Sequence, residues 1–131
     1  MNPDPLAGIL NQDGLPGVTF RSCRFVPTFH KFQGESCGGI QIHVRDRRVF
    51  DSFLTTLTII QRVRELSGDA FAWRDPPYEY ELEKLPFDIL CGTDSIRRSI
   101  ESGQPWKILQ KTWTEDHVRF ERERKPFLLY N

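Results

Sequence analysis

The sequence predicts an α+β (or α/β) fold, with a small mixed β-sheet packed by about three helices and an extended C-terminal tail. The main evidence is the stretch 37–66, where a two-residue hydrophobic period changes to a helical one. Ile40, Ile42 and Val44 alternate with polar residues, which is typical of a strand with one buried face. Apolar residues then recur every three or four positions as far as Leu66, which indicates an amphipathic helix. A strand that leads directly into a helix over the same sheet is typical of these fold classes.

The composition is that of a single globular domain without a strong electrostatic preference. The chain has 131 residues, and its ten Phe, three Trp and three Tyr supply much of one hydrophobic core. Eighteen basic and eighteen acidic residues cancel, so no net charge attracts the chain to nucleic acid or to an anionic membrane. No apolar run approaches the roughly 20 residues that cross a bilayer, so we expect no membrane insertion. The first residues lack the basic and apolar regions of a signal peptide.

The cysteine pattern argues against a metal site. Cys23, Cys37 and Cys91 are an odd number and contain no CxxC pair, so neither a disulfide framework nor a zinc site is expected. One disulfide stays open if the protein is exported. The sequence also lacks a nucleophile elbow, a phosphate-binding glycine loop and an HExxH motif. We therefore expect no metal and no cofactor.

The first half of the chain is expected to hold a lead-in, two strands and the long helix. Residues 1–17 are rich in Pro, Gly, Asn and Asp, which predicts an irregular lead-in with at most one short helical turn. A single domain is expected over 18–131. It begins with a strand over 18–29, in which Pro27 marks an edge or the end. Asp46 is the expected N-cap of the long helix, and Gly68 is its expected stop.

The second half is expected to hold one more strand and three helical segments. The YEYEL stretch at 78–82 alternates, so Tyr78, Tyr80 and Leu82 would share one face of a strand. A helical turn is expected over 85–90, starting near Pro86. A short helix over 95–102, capped at 93 or 94, precedes a last helix over about 105–124 and the extended tail at 127–130.

Two groups of polar residues could carry chemistry, and each also has a simpler explanation. His43 lies on the strand face opposite the apolar residues, where it could contact a ligand, act as an acid or base, or merely be half exposed. Glu79, Glu81 and Asp88 belong to an acidic group that could include the paired carboxylates of a glycoside hydrolase. Acidic alternation is equally typical of a solvated surface. Asp88 differs, because it lies in an apolar turn where a carboxylate needs a partner.

Four stretches of the sequence, in order, resemble one bacterial family. They are LPGVTFRSCRFVPTF at 15–29, CGGIQIHVRDRRVF at 37–50, FAWRDPPYEYELEKLPFDILCGTDSIRRSIESG at 71–103, and the W…F…R…KPFLLYN pattern at 113–131. Together they cover nearly the whole chain. They resemble the C-terminal part of the NamZ, or YbbC-like, exo-β-N-acetylmuramidases, a family formerly catalogued as a domain of unknown function.

This resemblance implies candidate substrate-binding residues but no catalytic residue. Family members are longer, with an N-terminal Rossmann-like catalytic domain that is absent from this chain. They remove N-acetylmuramic acid from the non-reducing end of peptidoglycan fragments. Because the acidic residue proposed for catalysis lies in that N-terminal domain, it corresponds to no position here. The polar motif positions that match the family are Gln41, His43, Tyr80, Glu81 and Asp88.

The resemblance implies an auxiliary domain that forms part of the sugar cleft, docks on the catalytic domain and is inactive alone. Its expected partners are that domain and peptidoglycan fragments, and this substrate implies an extracytoplasmic or periplasmic location. Two alternatives stay open. A stand-alone module binding muropeptide or protein requires a concave pocket lined by aromatic and polar groups. An independent carboxylate hydrolase requires two carboxylates in one cleft with pKa values pushed apart.

Overall fold

The computed structural model describes residues 2–130, and the chain folds into two compact units, Met1–Ala72 and Trp73–Asn131. Within the described residues, the first unit contains a two-stranded antiparallel sheet and two α-helices, and the second contains three α-helices. The α+β fold class is confirmed, with an antiparallel pair of strands where a mixed sheet was expected. The single domain expected over 18–131 stays a prediction.

Seven helices and strands make up the regular structure of residues 2–130. In chain order they are α1 (Pro3–Gln12), β1 (Val18–Phe25), β2 (Cys37–Val44), α2 (Ser52–Ser67), α3 (Pro86–Cys91), α4 (Ser95–Glu101) and α5 (Trp106–Arg124). Single 3₁₀ turns follow α2 and α5, at Gly68–Ala70 and Lys125–Phe127. Leu128 continues in extended conformation, and the apolar side chains of 127–130 are exposed. None of the described helices is long and apolar enough to cross a membrane.

Helix α1 corrects the irregular lead-in expected over 1–17. The Asn2 side chain caps this helix by accepting a hydrogen bond from the Asp4 backbone N–H at 3.3 Å. Leu6 and Leu10, about one turn apart, are buried in the core of the unit. The prolines lie in the first turn, beginning with Pro3, where a missing N–H breaks no helical bond. They therefore start the helix instead of preventing it.

Strands β1 and β2 form an antiparallel hairpin in which Phe20 is paired with Ile42. Both predicted strands are confirmed, although β1 ends at Phe25 and not at 29. Phe20 is buried, whereas Ile42 and Val44 on the same face are 48% and 42% exposed. The expected buried face of β2 is wrong for these two residues, since packing on this face buries Phe20 and leaves Ile42 and Val44 about half exposed.

Helix α2 begins later than predicted. Its N-cap is Asp51, whose carboxylate accepts from the Leu54 backbone N–H at 2.9 Å. Asp46, the expected cap, instead closes the preceding turn by accepting from the backbone and side chain of Arg48. The Asp46 N–H donates to the Gly17 carbonyl at 3.2 Å. This bond keeps the chain beside β1 and delays the helix.

The buried face of α2 is more polar than its apolar residues indicated. Leu54 and Leu57 are buried, as the apolar stripe predicted. Thr58 and Gln61 are buried on the same helix. Thr58 donates its hydroxyl hydrogen to the Leu54 carbonyl at 2.9 Å, so its polar group is satisfied without solvent. The predicted stop is confirmed, since Gly68 follows the helix with φ +51°.

The helices predicted in the second half of the chain are confirmed. Helix α3 starts at Pro86, and Asp94 is the N-cap position of α4. The Thr93 hydroxyl oxygen accepts from the Ser95 backbone N–H at 3.2 Å, which helps to begin α4. Helix α5 follows Pro105, as expected. The buried apolar side chains of these three helices are Pro86, Ile96, Ile100 and Leu109.

The strand predicted over 78–82 is wrong, because this segment forms a tight turn. Tyr78 and Glu81 exchange two backbone hydrogen bonds of 3.0 Å, and Glu79 has φ +52°. Tyr80 is 99% exposed, and Leu82 is also exposed. Alternation of aromatic and acidic residues produces a strand only where another strand can pair with it. No such strand exists for this segment in residues 2–130.

Candidate functional site

A cavity of about 650 Å³ lies in the second unit, between the 81–85 turn, α3 and the start of α4. It brings together Glu81 and Asp88, two of the residues that the sequence singled out. Its size is within the range of small-molecule sites in proteins. The complete lining is Glu81, Glu83, Lys84, Leu85, Asp88, Ile89, Gly92, Thr93, Asp94 and Arg97.

Glu81 is held in place by the turn that it terminates. Its Oε1 accepts hydrogen bonds from the backbone N–H groups of Glu83 at 2.8 Å and Lys84 at 3.2 Å. These two bonds lower the pKa of the Glu81 carboxyl below its ordinary value, because they stabilise the charged form. Glu81 is therefore ionised at neutral pH, and it presents an acceptor and a negative charge to the cavity.

Asp88 has the partner that its apolar surroundings demanded. The Arg97 Nε donates to both Asp88 carboxylate oxygens, at 2.9 and 3.1 Å, and Arg97 Nη1 donates to Glu101 at 3.2 Å. The Asp88 and Arg97 side chains are only 14% and 18% exposed. Trp73 Nε1 donates to Glu101 at 2.9 Å, and the Trp73 ring contacts the Phe87 ring at a centroid distance of 4.4 Å. A part-buried network thus joins α3 to α4.

The network fixes the charge state of its central residue. Hydrogen bonds and Coulomb attraction from Asp88, and more weakly from Glu101, raise the pKa of Arg97 above its already high ordinary value. A planar guanidinium can bridge two carboxylates at once, whereas a lysine ammonium is a single point charge. Arg97 therefore stays charged, and its hydrogen bonds to both carboxylate oxygens hold Asp88 in the cavity wall.

The cavity has an acidic lining. Four of its lining residues are carboxylates, namely Glu81, Glu83, Asp88 and Asp94, and two, Lys84 and Arg97, are cations. A glycosidase needs one carboxyl group whose raised pKa keeps it protonated as a general acid. Glu81 has a lowered pKa, and Asp88 is bound to an arginine. These carboxylates are suited to accept hydrogen bonds from sugar hydroxyl groups.

The three cysteines are free thiols. Cys91, at the end of α3, is half-buried, and burial and the nearby Asp88 carboxylate raise its pKa. A raised pKa reduces the thiolate fraction, so Cys91 is poorly suited to act as a nucleophile. No group of three or more metal-binding side chains occurs in residues 2–130.

Gln41 and His43 lie together on the other candidate surface, the solvent face of the β1–β2 hairpin. In the register, Gln41 is paired with Arg21 and His43 with Thr19, so all four side chains are on one face. Arg21 Nη2 donates to Gln41 Oε1 at 2.6 Å. Further along this face, Gly39 lies under the Phe25 ring, since a Cβ atom at 39 would be 3.0 Å from that ring.

The sequence-predicted site residues therefore form two pairs and one isolated residue. Glu81 and Asp88 line the cavity, Gln41 and His43 share the hairpin face, and Tyr80 lies at the exposed tip of its turn without lining the cavity.

Sequence reasoning missed Arg97 and Arg21. The spacing of Arg97 and Glu101 on one helix was a readable signal for half of the network. The contact of Arg97 with Asp88 depends on the turn between α3 and α4, and the contact of Arg21 with Gln41 depends on the register of the hairpin. No local pattern in the sequence contains either piece of information.

Known proteins are similar to this chain in sequence and in structure. Residues 1–130 match the family described as "Exo-beta-N-acetylmuramidase NamZ, C-terminal". The chain is 36% identical over 121 residues to the peptidoglycan beta-N-acetylmuramidase NamZ of Bacillus subtilis (strain 168), which covers 92% of this chain and 27% of that protein. A crystal structure of a DUF1343 family protein from Bacteroides fragilis NCTC 9343 matches with a TM-score of 0.78 and 25% identity, covering 100% of this chain and 33% of that one.

The chain thus spans between about a quarter and a third of the length of these two proteins. The family match extends over nearly every residue, and the solved structure covers the whole chain. The resemblance inferred from the four sequence stretches is confirmed. The chain belongs to the family of the C-terminal domain of the exo-β-N-acetylmuramidase NamZ.

Proposed function

We propose that the chain is the auxiliary domain of an exo-acting peptidoglycan glycosidase, where it forms one wall of the sugar cleft and docks on a catalytic domain. Membership of the family supports this proposal, as does the peptidoglycan-hydrolysing activity named for the Bacillus subtilis relative. The substrate would be a peptidoglycan fragment that carries N-acetylmuramic acid. The catalytic acid and base would come from the other domain.

The observation that carries the proposal is the preorganised, acidic cavity of the second unit. Sugar hydroxyl groups donate hydrogen bonds, and the Glu81 and Asp88 carboxylates are fixed acceptors. Lys84 lines the same cavity and is exposed, so it is available to the lactyl carboxylate of N-acetylmuramic acid. The fixed acceptors fit sugar hydroxyl groups, and the lactyl carboxylate would need Lys84 to offset the acidic residues of the same lining.

The other candidate residues are assigned proposed contacts on their own surfaces. Gln41 and His43 offer amide and imidazole groups to a sugar on the hairpin face, beside Arg21. Tyr80 is almost fully exposed at the tip of a turn. A tyrosine combines a large apolar ring with one hydroxyl, which is typical of residues that anchor protein interfaces. We assign Tyr80 to substrate contact at the boundary with the docked catalytic domain.

The bonding of Glu81 and Asp88 supports the auxiliary role over a hydrolase that would use these two carboxylates. Glu81 accepts two backbone hydrogen bonds and Asp88 accepts hydrogen bonds from Arg97, so both side chains already have fixed partners. We expect the 131-residue chain alone to release no N-acetylmuramic acid from a β-muramic acid glycoside. Release of the sugar by this chain would contradict the proposal.

A titration of the ¹⁵N-labelled chain with the disaccharide MurNAc-β-1,4-GlcNAc tests the cleft. Weak binding should shift the backbone amide signals of Gly92 and Thr93, which line the cavity. Lys84→Ala should weaken binding at least about threefold, because it removes the accessible cation. Lys111→Ala, which removes an exposed lysine on α5 outside the cavity lining, is the matched control and should leave binding unchanged.

Two other results would count against this assignment. If the cavity amides do not move at millimolar disaccharide, the cavity is not part of the sugar site. If the chain alone binds the disaccharide with micromolar affinity, a stand-alone binding module describes it better than an auxiliary wall, since a complete site needs no second domain.

A further inference from the structure

The outer edge of β2 has unpaired backbone groups that follow from the register of the hairpin. Asn11 binds both backbone groups of Phe20, because its Nδ2 donates to the Phe20 carbonyl at 2.8 Å and its Oδ1 accepts from the Phe20 N–H at 2.9 Å. The Phe20 groups therefore point away from β2. In an antiparallel ladder the partner of such a residue also points outward, and the partner of Phe20 is Ile42.

The same alternation identifies every outward-facing residue of β2. The N–H and C=O groups of Gly38, Ile40, Ile42 and Val44 face away from β1, and the described structure contains no hydrogen bond to any of them. The edge of β1 is different, because Asn11 closes it at Phe20. The hairpin thus has one protected edge and one open edge.

The open edge lacks the features that usually prevent strand pairing. Residues 38–44 contain no proline and no lysine, arginine or carboxylate. Two of their apolar side chains, Ile42 and Val44, are about half exposed. A two-stranded hairpin is also marginally stable, and a third or fourth strand would add backbone hydrogen bonds and cover these side chains.

The side chains along β2 complement a second copy of the same strand. With two antiparallel copies centred on Gln41, Ile40 of each copy faces Ile42 of the other, and Gly38 faces Val44. On the opposite face Gln41 faces Gln41, and His43 faces Gly39, over which the Phe25 ring lies. The next pair places Arg45 opposite Cys37, so no two like charges face each other. This register satisfies the outward-facing groups of both copies.

We propose that two copies of the chain associate edge to edge through β2 and form a continuous four-stranded antiparallel sheet, β1-β2-β2-β1. The two-fold symmetry makes the contact self-complementary. Only residues 38–44 of each copy pair, so the interface is smaller than a standard stable one and the dimer is weak. The contact uses the backbone edge of β2 and adjoins the Gln41 and His43 side chains, which are proposed above to contact sugar on the hairpin face.

Amide hydrogen exchange of the 131-residue chain, measured by NMR between about 10 µM and 1 mM, tests the geometry directly. The N–H groups of Gly39, Gln41 and His43 bond to β1 and should be protected at every concentration. The N–H groups of Ile40 and Ile42 should exchange quickly in dilute solution and become protected as concentration rises. Sedimentation velocity over the same range should show the mass moving from monomer to dimer.

A matched pair of variants distinguishes association through the β2 edge from nonspecific association through other exposed apolar side chains. Ile42→Lys places a charge at the centre of the edge and should keep the chain monomeric at 1 mM, with the Gln41 and His43 amides still protected as evidence of an intact hairpin. Val118→Lys, at an apolar residue on α5 that is 63% exposed against 48% for Ile42, should dimerise like the unchanged chain.

Each remaining outcome overturns the proposal. Fast exchange of the Ile40 and Ile42 amides at every concentration means that the edge stays open. Protection of these amides in a monomer at every concentration means that another segment of the chain covers the edge. A dimer that survives in Ile42→Lys means that the copies meet through a different surface.

Discussion

Replacing Asn11 by alanine should destabilise the first unit, because Asn11 acts as a substitute strand for one residue of β1. Its side-chain amide reproduces the donor and acceptor of a peptide group and binds both backbone groups of Phe20, at 2.8 and 2.9 Å. The alanine variant loses both bonds while α1 keeps a good helix-forming residue. Phe20 itself is buried, so its backbone depends on this contact for pairing.

The size of the effect follows from the exposure of the two bonds. A hydrogen bond contributes about 1 kcal/mol net to stability, and a donor left unpaired in a buried site costs more. Both bonds of Asn11 are part-buried. Because position 11 is exposed, water can partly replace the lost side chain at the Phe20 backbone groups in the alanine variant. We therefore expect a loss of about 2 kcal/mol for the first unit, a large fraction of the stability of a small domain.

The assay must report on the first unit specifically. Trp73, Trp106 and Trp113 all belong to the second unit, so tryptophan fluorescence would follow the wrong part of the chain. Native-state amide exchange of β1, combined with far-UV circular dichroism in urea, gives the free energy of unfolding for the hairpin. The Phe20 amide should lose its protection in the variant.

Gln12→Ala is the control, since Gln12 is exposed on the same helix and its side chain makes no hydrogen bond in the described residues. It should change stability by less than about 0.5 kcal/mol. The reasoning is refuted if Asn11→Ala leaves both the free energy of unfolding and the Phe20 amide protection unchanged.

Three further substitutions test the turn, the network and the thiol. Gly17→Ala should cost at least about 2 kcal/mol in urea unfolding, because Gly17 has φ +68° and a new Cβ would lie 2.4 Å from a backbone oxygen. Arg97→Lys should cost about 1–2 kcal/mol, because a lysine cannot bridge Asp88 and Glu101 together. Alkylation of Cys91 should have a pH midpoint above that of an unfolded thiol, and Asp88→Asn should lower it.

Each of these predictions has its own control and contrary result. Gly8→Ala, in α1 with nothing within 4 Å of the new methyl group, should be neutral or stabilising, and a similar loss at both glycines would refute the steric argument. Arg98→Lys, at an exposed ion pair with Asp94, should cost less than about 0.5 kcal/mol, because exposed ion pairs contribute little to stability. The thiol is measured with the other two cysteines changed to serine, and a midpoint at or below the unfolded value contradicts a raised pKa.

Local sequence patterns correctly predicted several helix ends, which depend on the types of only a few neighbouring residues. Gly68 ends α2, Pro86 starts α3 and Asp94 precedes α4, as their residue types indicated. The same patterns failed where two local solutions compete. Asp46 and Asp51 both suit a helix start, and the choice depends on a hydrogen bond to Gly17 from a distant part of the chain.

The candidate site was predictable in its residue types and not in its contacts. Asp88 in an apolar turn indicated a needed partner, and the structure supplies Arg97. The alternation in 78–82 indicated a strand, yet Glu79 has φ +52° and the segment turns back on itself. An alternating pattern shows which residues would share a face of a strand. It does not show whether another strand is available to pair with that segment.

The sequence by itself determined the α+β class, the positions of most helix ends and the family, because each depends on residues that are near one another in the chain. The tertiary structure alone decided which charges meet, which face of β2 stays exposed, and that Asn11 completes β1. The physical reason is that hydrogen bonds and ion pairs of this kind join residues that only folding brings within about 3 Å of one another. The positions of two residues in the sequence do not show how far apart they lie in the folded chain.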